Sequence, residues 1–253
     1  MNIEKAKKEF EIFVQQYDLE NEKIKRKFGH SFRVMEKAGQ IAKSLSLPNE
    51  EIELSKLIGL LHDIGRFEQE RIYKTFKDHE SIDHGELGVE ILKKDKYIRK
   101  YIEEDKYDNI ILKAIKNHNK LYIEEGLTKQ ELLFSKIVRD ADKLDIFYEG
   151  VEMFWTNKEE IEEVNKSKLS DKAIETFNKN KLMDRKNIIT KADRIINFIG
   201  FMFDINFKYD FEILKKENYI NKILDKFKFI DEVTSNQMKN ARKIANEYVE
   251  KQL

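Results

Sequence analysis

The chain has 253 residues, with 48 Lys and Arg against 48 Asp and Glu, so no global basic field points to nucleic acid or an anionic membrane. Its length suits one large domain, or a domain with an appendage, and it can bury a sizeable core. Cys is absent, which excludes disulfides and thiolate chemistry and leaves His and carboxylates to hold any metal. The opening "MNIEKAKKEFEIF" lacks an apolar targeting segment, and no run of about 18 apolar residues occurs. A cytoplasmic protein with no membrane contact is expected.

One Pro and nine Gly leave little turn chemistry for a β-rich fold. Apolar residues recur at helical spacing, which predicts helices over 2–16, 30–46, 50–63, 82–94, 107–119, 130–149, 187–208 and 232–251. The fold class is all-α. Asn49, after Pro48, is the expected N-cap of the third helix. From Thr156 the chain turns polar ("NKEEIEEVNKSKLSDK"), as in surface helices or a mobile segment. The apolar stretch "IINFIGFMFDINF" (195–207) follows and is expected to pack back on the N-terminal part. The division is therefore 20–155 for the main domain and 156–253 for a helical extension in one body.

"LIGLLHDIGRF" (57–67) is where chemistry first shows. A core-like helix ends by placing His62 and Asp63 where its apolar face should continue. A buried carboxylate beside an imidazole is costly unless something compensates, and a cation does so. The other histidines share the pattern. His30 is in line with Val34, Ala38, Ile41 and Leu45; His62 follows Leu54 and Ile58; His84 leads Gly88 and Ile91; His118 follows Ile111, Ala114 and Ile115. Gly88, one turn past His84, would allow close approach of another helix or a ligand. One such histidine alone reads as a hydrogen-bonded core residue. Four beside a carboxylate read as a site. His79, in the polar loop "YKTFKDHESIDHG", reads as a plain loop histidine.

In "LLFSKIVRDADKLDIF" the helical wheel puts Phe134, Val138, Asp142 and Asp145 on one arc. Asp142 is the candidate ligand. Asp145 is its inward neighbour, either orienting a ligand histidine or touching substrate. Asp140 falls on the other side near Lys136 and Lys143, as a surface ion pair would.

This ordered set, His30 in "FGHSFRV", His62-Asp63 in "LLHDIGR" and Asp142 in "RDADKLD", resembles the HD superfamily of metal-dependent phosphohydrolases over roughly residues 25–150. His84 in "DHGELGVEIL" and His118 in "AIKNHNK" resemble the extra histidines of its dinuclear branches. The resemblance implies an HD-domain helical bundle with two divalent ions (Mn, Fe, Mg or Co). One would take His30, His62, Asp63 and Asp142, the other His84 and His118, with Asp63 bridging. Arg66 in "HDIGR" stands where HD-GYP phosphodiesterases have a phosphate-contacting Lys, but the Gly-Tyr-Pro segment is missing, as are the carboxylates that follow the doublet in ppGpp hydrolases and deoxynucleotide 5′-phosphatases.

The implied activity is hydrolysis of a phosphate ester or anhydride in a nucleotide or related small molecule by a hydroxide shared between the metals. Asp63 and Arg66 are the catalytic candidates, and Arg66 and Asp145 the substrate-binding ones. The planar fork of Arg66 suits phosphoryl oxygens, whereas a surface pair with Glu68 or Glu70 is its bland alternative. The same ligands would also suit a di-iron oxygenase, and a non-catalytic nucleotide-binding regulator is a third reading. Substrate, native metal and oligomeric state are not encoded in any motif.

Overall fold

Residues 1–253 are all described by a computed structural model, and its regular elements are all helical. They are α1 (Ile3–Val14), α2 (Glu22–Ser44), α3 (Asn49–Leu61), α4 (Ile64–Tyr73), α5 (His84–Lys93), α6 (Asp108–Asn117) and α7 (Lys129–Glu152). Then come α8 (Lys158–Lys166), α9 (Asp171–Asn178), α10 (Lys191–Gly200), α11 (Lys208–Glu217), α12 (Tyr219–Leu224) and α13 (Glu232–Gln252). The all-α expectation holds. None of the helices is long and apolar enough to cross a membrane. The chain forms two compact units, Met1–Asp145 and Ile146–Leu253.

In the first unit two helix crossings bring distant histidines together, and each depends on a missing Cβ. At Gly59 of α3 a Cβ would lie 2.9 Å from the Met35 Cα and the Val34 carbonyl oxygen. Backbone therefore meets backbone, which lets α2 and α3 carry His30 and His62 into contact. At Gly65 of α4 a Cβ would come within 2.2 Å of the His84 carbonyl oxygen and 2.8 Å of the Gly88 nitrogen. This bears out the close approach expected at Gly88. An alanine at Gly65 would push α5, with His84, away from Asp63. Overpacking of this kind costs about 1–3 kcal/mol, so Gly65→Ala should lower the thermal midpoint and weaken metal binding, both readable in one calorimetric melt series with and without Mn²⁺.

Aromatic packing fixes α4 from its other side. Phe67 meets Phe10 and Phe13 of α1 edge-on at ring-centroid distances of 5.7 and 6.0 Å, and Phe10 also meets Phe32 of α2. Each such pair adds about 0.5–1.5 kcal/mol beyond area burial. Beneath these rings Val34, Ala38, Ile41, Leu54, Leu57 and Ile58 fill the interior between α2 and α3.

Several boundaries differ from the sequence reading. The cap of α3 is Pro48, and Asn49 is the first helical residue. The short α4, α11 and α12 were not foreseen. The polar stretch after Thr156 forms α8 and α9, capped by the side chains of Asn157 and Ser170. The single helix expected over 187–208 is a 3-10 turn, then α10, then a second 3-10 turn. Thr190 and Asp193 form a capping box that sets the start of α10.

Within the second unit, Asp193 is fully buried and accepts from the Ser170 backbone and hydroxyl at 2.9 and 3.0 Å, which ties α9 to α10. Phe198 of α10 packs against Phe147, Phe154 and Trp155. Lys226 donates to the Val151 and Phe154 carbonyls at the end of α7, at 2.7 Å each.

Candidate metal centre

The His-Asp doublet lies at a break. α3 stops at Leu61, α4 starts at Ile64, and His62 and Asp63 are the two residues between. The break turns Asp63 inward and lets the His62 ring fold back on its own helix, where Nδ1 donates to the Gly59 carbonyl at 2.7 Å. His118 does the same at the end of α6, donating to the Ile115 carbonyl at 2.7 Å. The other two rings donate to carboxylates: His30 Nδ1 to Asp145 at 2.7 Å, and His84 Nδ1 to Asp78 at 2.8 Å. With each Nδ1 engaged as a donor, Nε2 of the neutral ring is left with the lone pair.

Those four Nε2 atoms converge. His30 and His62 bring theirs to 3.2 Å, and His84 and His118 to 3.0 Å. Asp63 lies between the pairs and divides its oxygens. Its Oδ2 is 3.5 Å from His30 Nε2 and 3.4 Å from His62 Nε2. Its Oδ1 is 3.3 Å from His84 Nε2 and 3.5 Å from His118 Nε2. Asp142 of α7 closes the first group, with Oδ1 3.0 Å from His30 Nε2 and 3.6 Å from His62 Nε2. Two overlapping groups, His30–His62–Asp63 and Asp63–His84–His118, are thus compact enough to hold a metal ion each. Two ring nitrogens about 3 Å apart need a proton or a metal ion between them, and a divalent cation can serve both pairs. The donor set fits divalent metal.

The charges agree with this. Burial alone would raise the Asp63 and Asp142 pKa values, yet Lys27 and His62 hold Asp63, and His30 and His62 hold Asp142, well below the carboxylate range. Burial disfavours charge on His62, but Asp63 and Asp142 more than offset it and push the ring up to about 10, so without a metal His62 holds a proton on Nε2 that a bound cation would displace. On His118 burial wins, and the ring goes down to about 4.

Several surrounding residues carry no sequence motif. Asp78, on a 3-10 turn, accepts from His84, from Gln69 Nε2 at 2.9 Å and from Arg66 Nη1 at 2.9 Å. Lys27 places Nζ 2.6 Å from Asp63 Oδ2. Arg139 donates to the Asn117 and Lys120 carbonyls at 2.6 and 2.7 Å, capping the end of α6 beside His118. Lys27 and Arg139 could be found by register, each three residues from a ligand on its own helix; Asp78 could not, since a loop has no register.

The structure favours one of the two readings of Asp145, corrects Asp140 and gives Arg66 other partners than its bland alternative. Asp145 has no exposed surface, and its oxygens accept from His30, Arg33 and Lys37, so it orients the His30 ring and is closed to substrate. Asp140 is not a surface residue but fully buried, because α7 is enclosed on that side too. Arg66 pairs with Asp78, while Glu68 pairs with Arg71 and Glu70 with Lys23. Its guanidinium is buried, stacked on Phe76 at 5.3 Å and held by Asp78, Gln69 and the Phe76 carbonyl, with Nε 3.7 Å from Asp63 Oδ1. His79 is exposed, 3.6 Å from Glu80, as a loop histidine would be.

The family model for the HD domain matches residues 28–146. This segment contains all six converging side chains. The chain carries an HD domain. No curated protein and no solved structure matches it. HD domains bind divalent metals and are commonly metal-dependent phosphohydrolases, in line with the donor set. Removing the carboxylate behind a ligand histidine typically costs 10–100-fold in metal affinity. Asp78→Ala in this HD domain should therefore weaken binding at His84 and His118 by about that factor and leave the His30–His62 ion in place, which stepwise Mn²⁺ titration would read.

Proposed function

We propose that the protein is a dinuclear metal-dependent phosphohydrolase acting on a phosphate ester or anhydride of a nucleotide or similar small molecule. The observation that carries this reading is the division of Asp63: one oxygen faces His30 and His62, the other His84 and His118. Bound divalent ions supply a nucleophile at neutral pH by lowering the pKa of water, and they neutralise charge on the phosphoryl group.

The chain's own residues set the conditions for that chemistry. Asp63 and Asp142 bring negative charge, and four neutral imidazoles keep the rest of the ligand set uncharged. Asp145, Asp78 and the two backbone carbonyls fix the ring orientations before substrate arrives, so little reorganisation is left to the reaction. Arg66 adds positive potential behind Asp63 Oδ1 and anchors Asp78. In this proposal it assists the phosphoryl charge from within the wall of the site.

The test is elemental analysis of untagged protein, then phosphate release from a nucleotide set with Mn²⁺, Mg²⁺, Fe²⁺ or Co²⁺. Metal-dependent release of phosphate supports the reading. Oxygen uptake by iron-loaded protein without phosphate release selects the oxygenase alternative.

A further inference from the structure

Lys27 neutralises Asp63 and holds a specific position. It lies on α2 one turn before His30 and reaches Asp63 Oδ2, the oxygen that faces His30 and His62. It also lies on the open side. Side-chain exposure is 14% for Lys27 and 15% for Asp142, against 2% or less for Asp63 and the four histidines. Among the groups on the His30–His62 side of Asp63, Lys27 and Asp142 are the ones that keep contact with solvent.

Charge says what would enter. Asp63 and Asp142 contribute −2, and the histidines are neutral as ligands. Two divalent ions would bring the centre to +2 and Lys27 to +3, with Arg66, paired to Asp78, adding positive potential from within the wall. With a divalent ion bound, Asp63 would be shared between that ion and Lys27, and the ammonium would be left with charge to offer a second anion. Lys is suited to that task as a compact point charge.

We infer that Lys27 binds the substrate's phosphoryl group at the mouth of the centre and favours a dianionic, terminal phosphate over a singly charged diester. This inference rests on the phosphohydrolase reading. The test compares wild type, Lys27→Met and Lys27→Arg, each reconstituted with Mn²⁺. Metal content is measured first, then calorimetric binding of inorganic phosphate and of dimethyl phosphate as the monoanionic probe. Lys27→Met is expected to keep full metal content and to bind phosphate about 10–100-fold more weakly, the range for a lost charge-assisted hydrogen bond. Its preference for phosphate over dimethyl phosphate should shrink, and Lys27→Arg should restore most of both.

Unchanged phosphate affinity in metal-replete Lys27→Met overturns the inference, as does wild-type protein that binds no phosphate. Loss of metal from both variants assigns Lys27 to support of Asp63 and overturns it as well. Lys27-dependent phosphate binding by a protein that hydrolyses no phosphate ester leaves the inference standing and removes the phosphohydrolase reading instead.

Discussion

Asp63→Ala should abolish turnover and take most metal binding with it, a larger loss than removal of any other ligand. Every other candidate belongs to one group: His30 and His62 face Oδ2, and His84 and His118 face Oδ1. Taking away the shared carboxylate removes a ligand from both groups at once and leaves Lys27 close to four imidazoles with no partner at Oδ2. A single-group variant behaves differently. His118→Ala should lose mainly one equivalent, because His30, His62, Asp63 and Asp142 remain in place. Elemental analysis after reconstitution, run beside turnover with the substrate found by the nucleotide screen, separates the two patterns. Equal losses in both variants would mean that the two groups do not share Asp63.

The second large effect belongs to Asp145, through stability rather than chemistry. Removing one partner of a buried ion pair costs about 3–5 kcal/mol. The Arg33 and Lys37 side chains retain 27% and 20% exposure and can rehydrate, which reduces that cost. Asp145→Ala should therefore destabilise by about 2–3 kcal/mol, or roughly 5–10 °C in thermal midpoint for a chain of this size. It should also weaken metal binding at His30, whose Nδ1 loses its acceptor.

The sign of the pH dependence follows from the same contacts. Burial alone would raise the Asp145 pKa, but hydrogen bonds from His30 and Arg33 hold the carboxyl well below its usual value. A depressed carboxylate contributes stability that is complete above its unfolded pKa, about 3.9, and is lost as pH falls through the folded value. The gap between wild type and Asp145→Ala should thus be widest near neutral pH and close in strong acid. A gap that stays constant across a pH series of denaturant titrations would count against this assignment.

The residues of the metal centre could be read from sequence because helices have a register. His30 and Asp142 lie within α2 and α7, and His62, His84 and His118 at helix ends, but each continues an apolar stripe, and a stripe can be counted. What lay off the stripes was not legible. α4 is short, opens with Ile-Gly-Arg, buries Arg66, Gln69 and Glu70 and exposes Ile72 and Tyr73, so its apolar signal is weak, although Phe67 anchors it. Asp78 orients His84 from a loop whose path is set by tertiary contacts with Gln69 and Asn119. Asp140 was misplaced because a helical wheel assumes one wet face, and residues 137–141 of α7 are buried in succession. The partner of Arg66 was not legible for a related reason: the fold supplies Asp78 from twelve residues on.

The central claim is that two metal ions share Asp63. Anomalous diffraction from crystals of Mn²⁺-reconstituted protein tests it most directly. Two peaks about 3.5–4 Å apart are expected, one beside His30, His62 and Asp142 and the other beside His84 and His118, with the Asp63 carboxylate between them. A single peak in fully reconstituted crystals, or two peaks of which one is not in contact with Asp63, would contradict it.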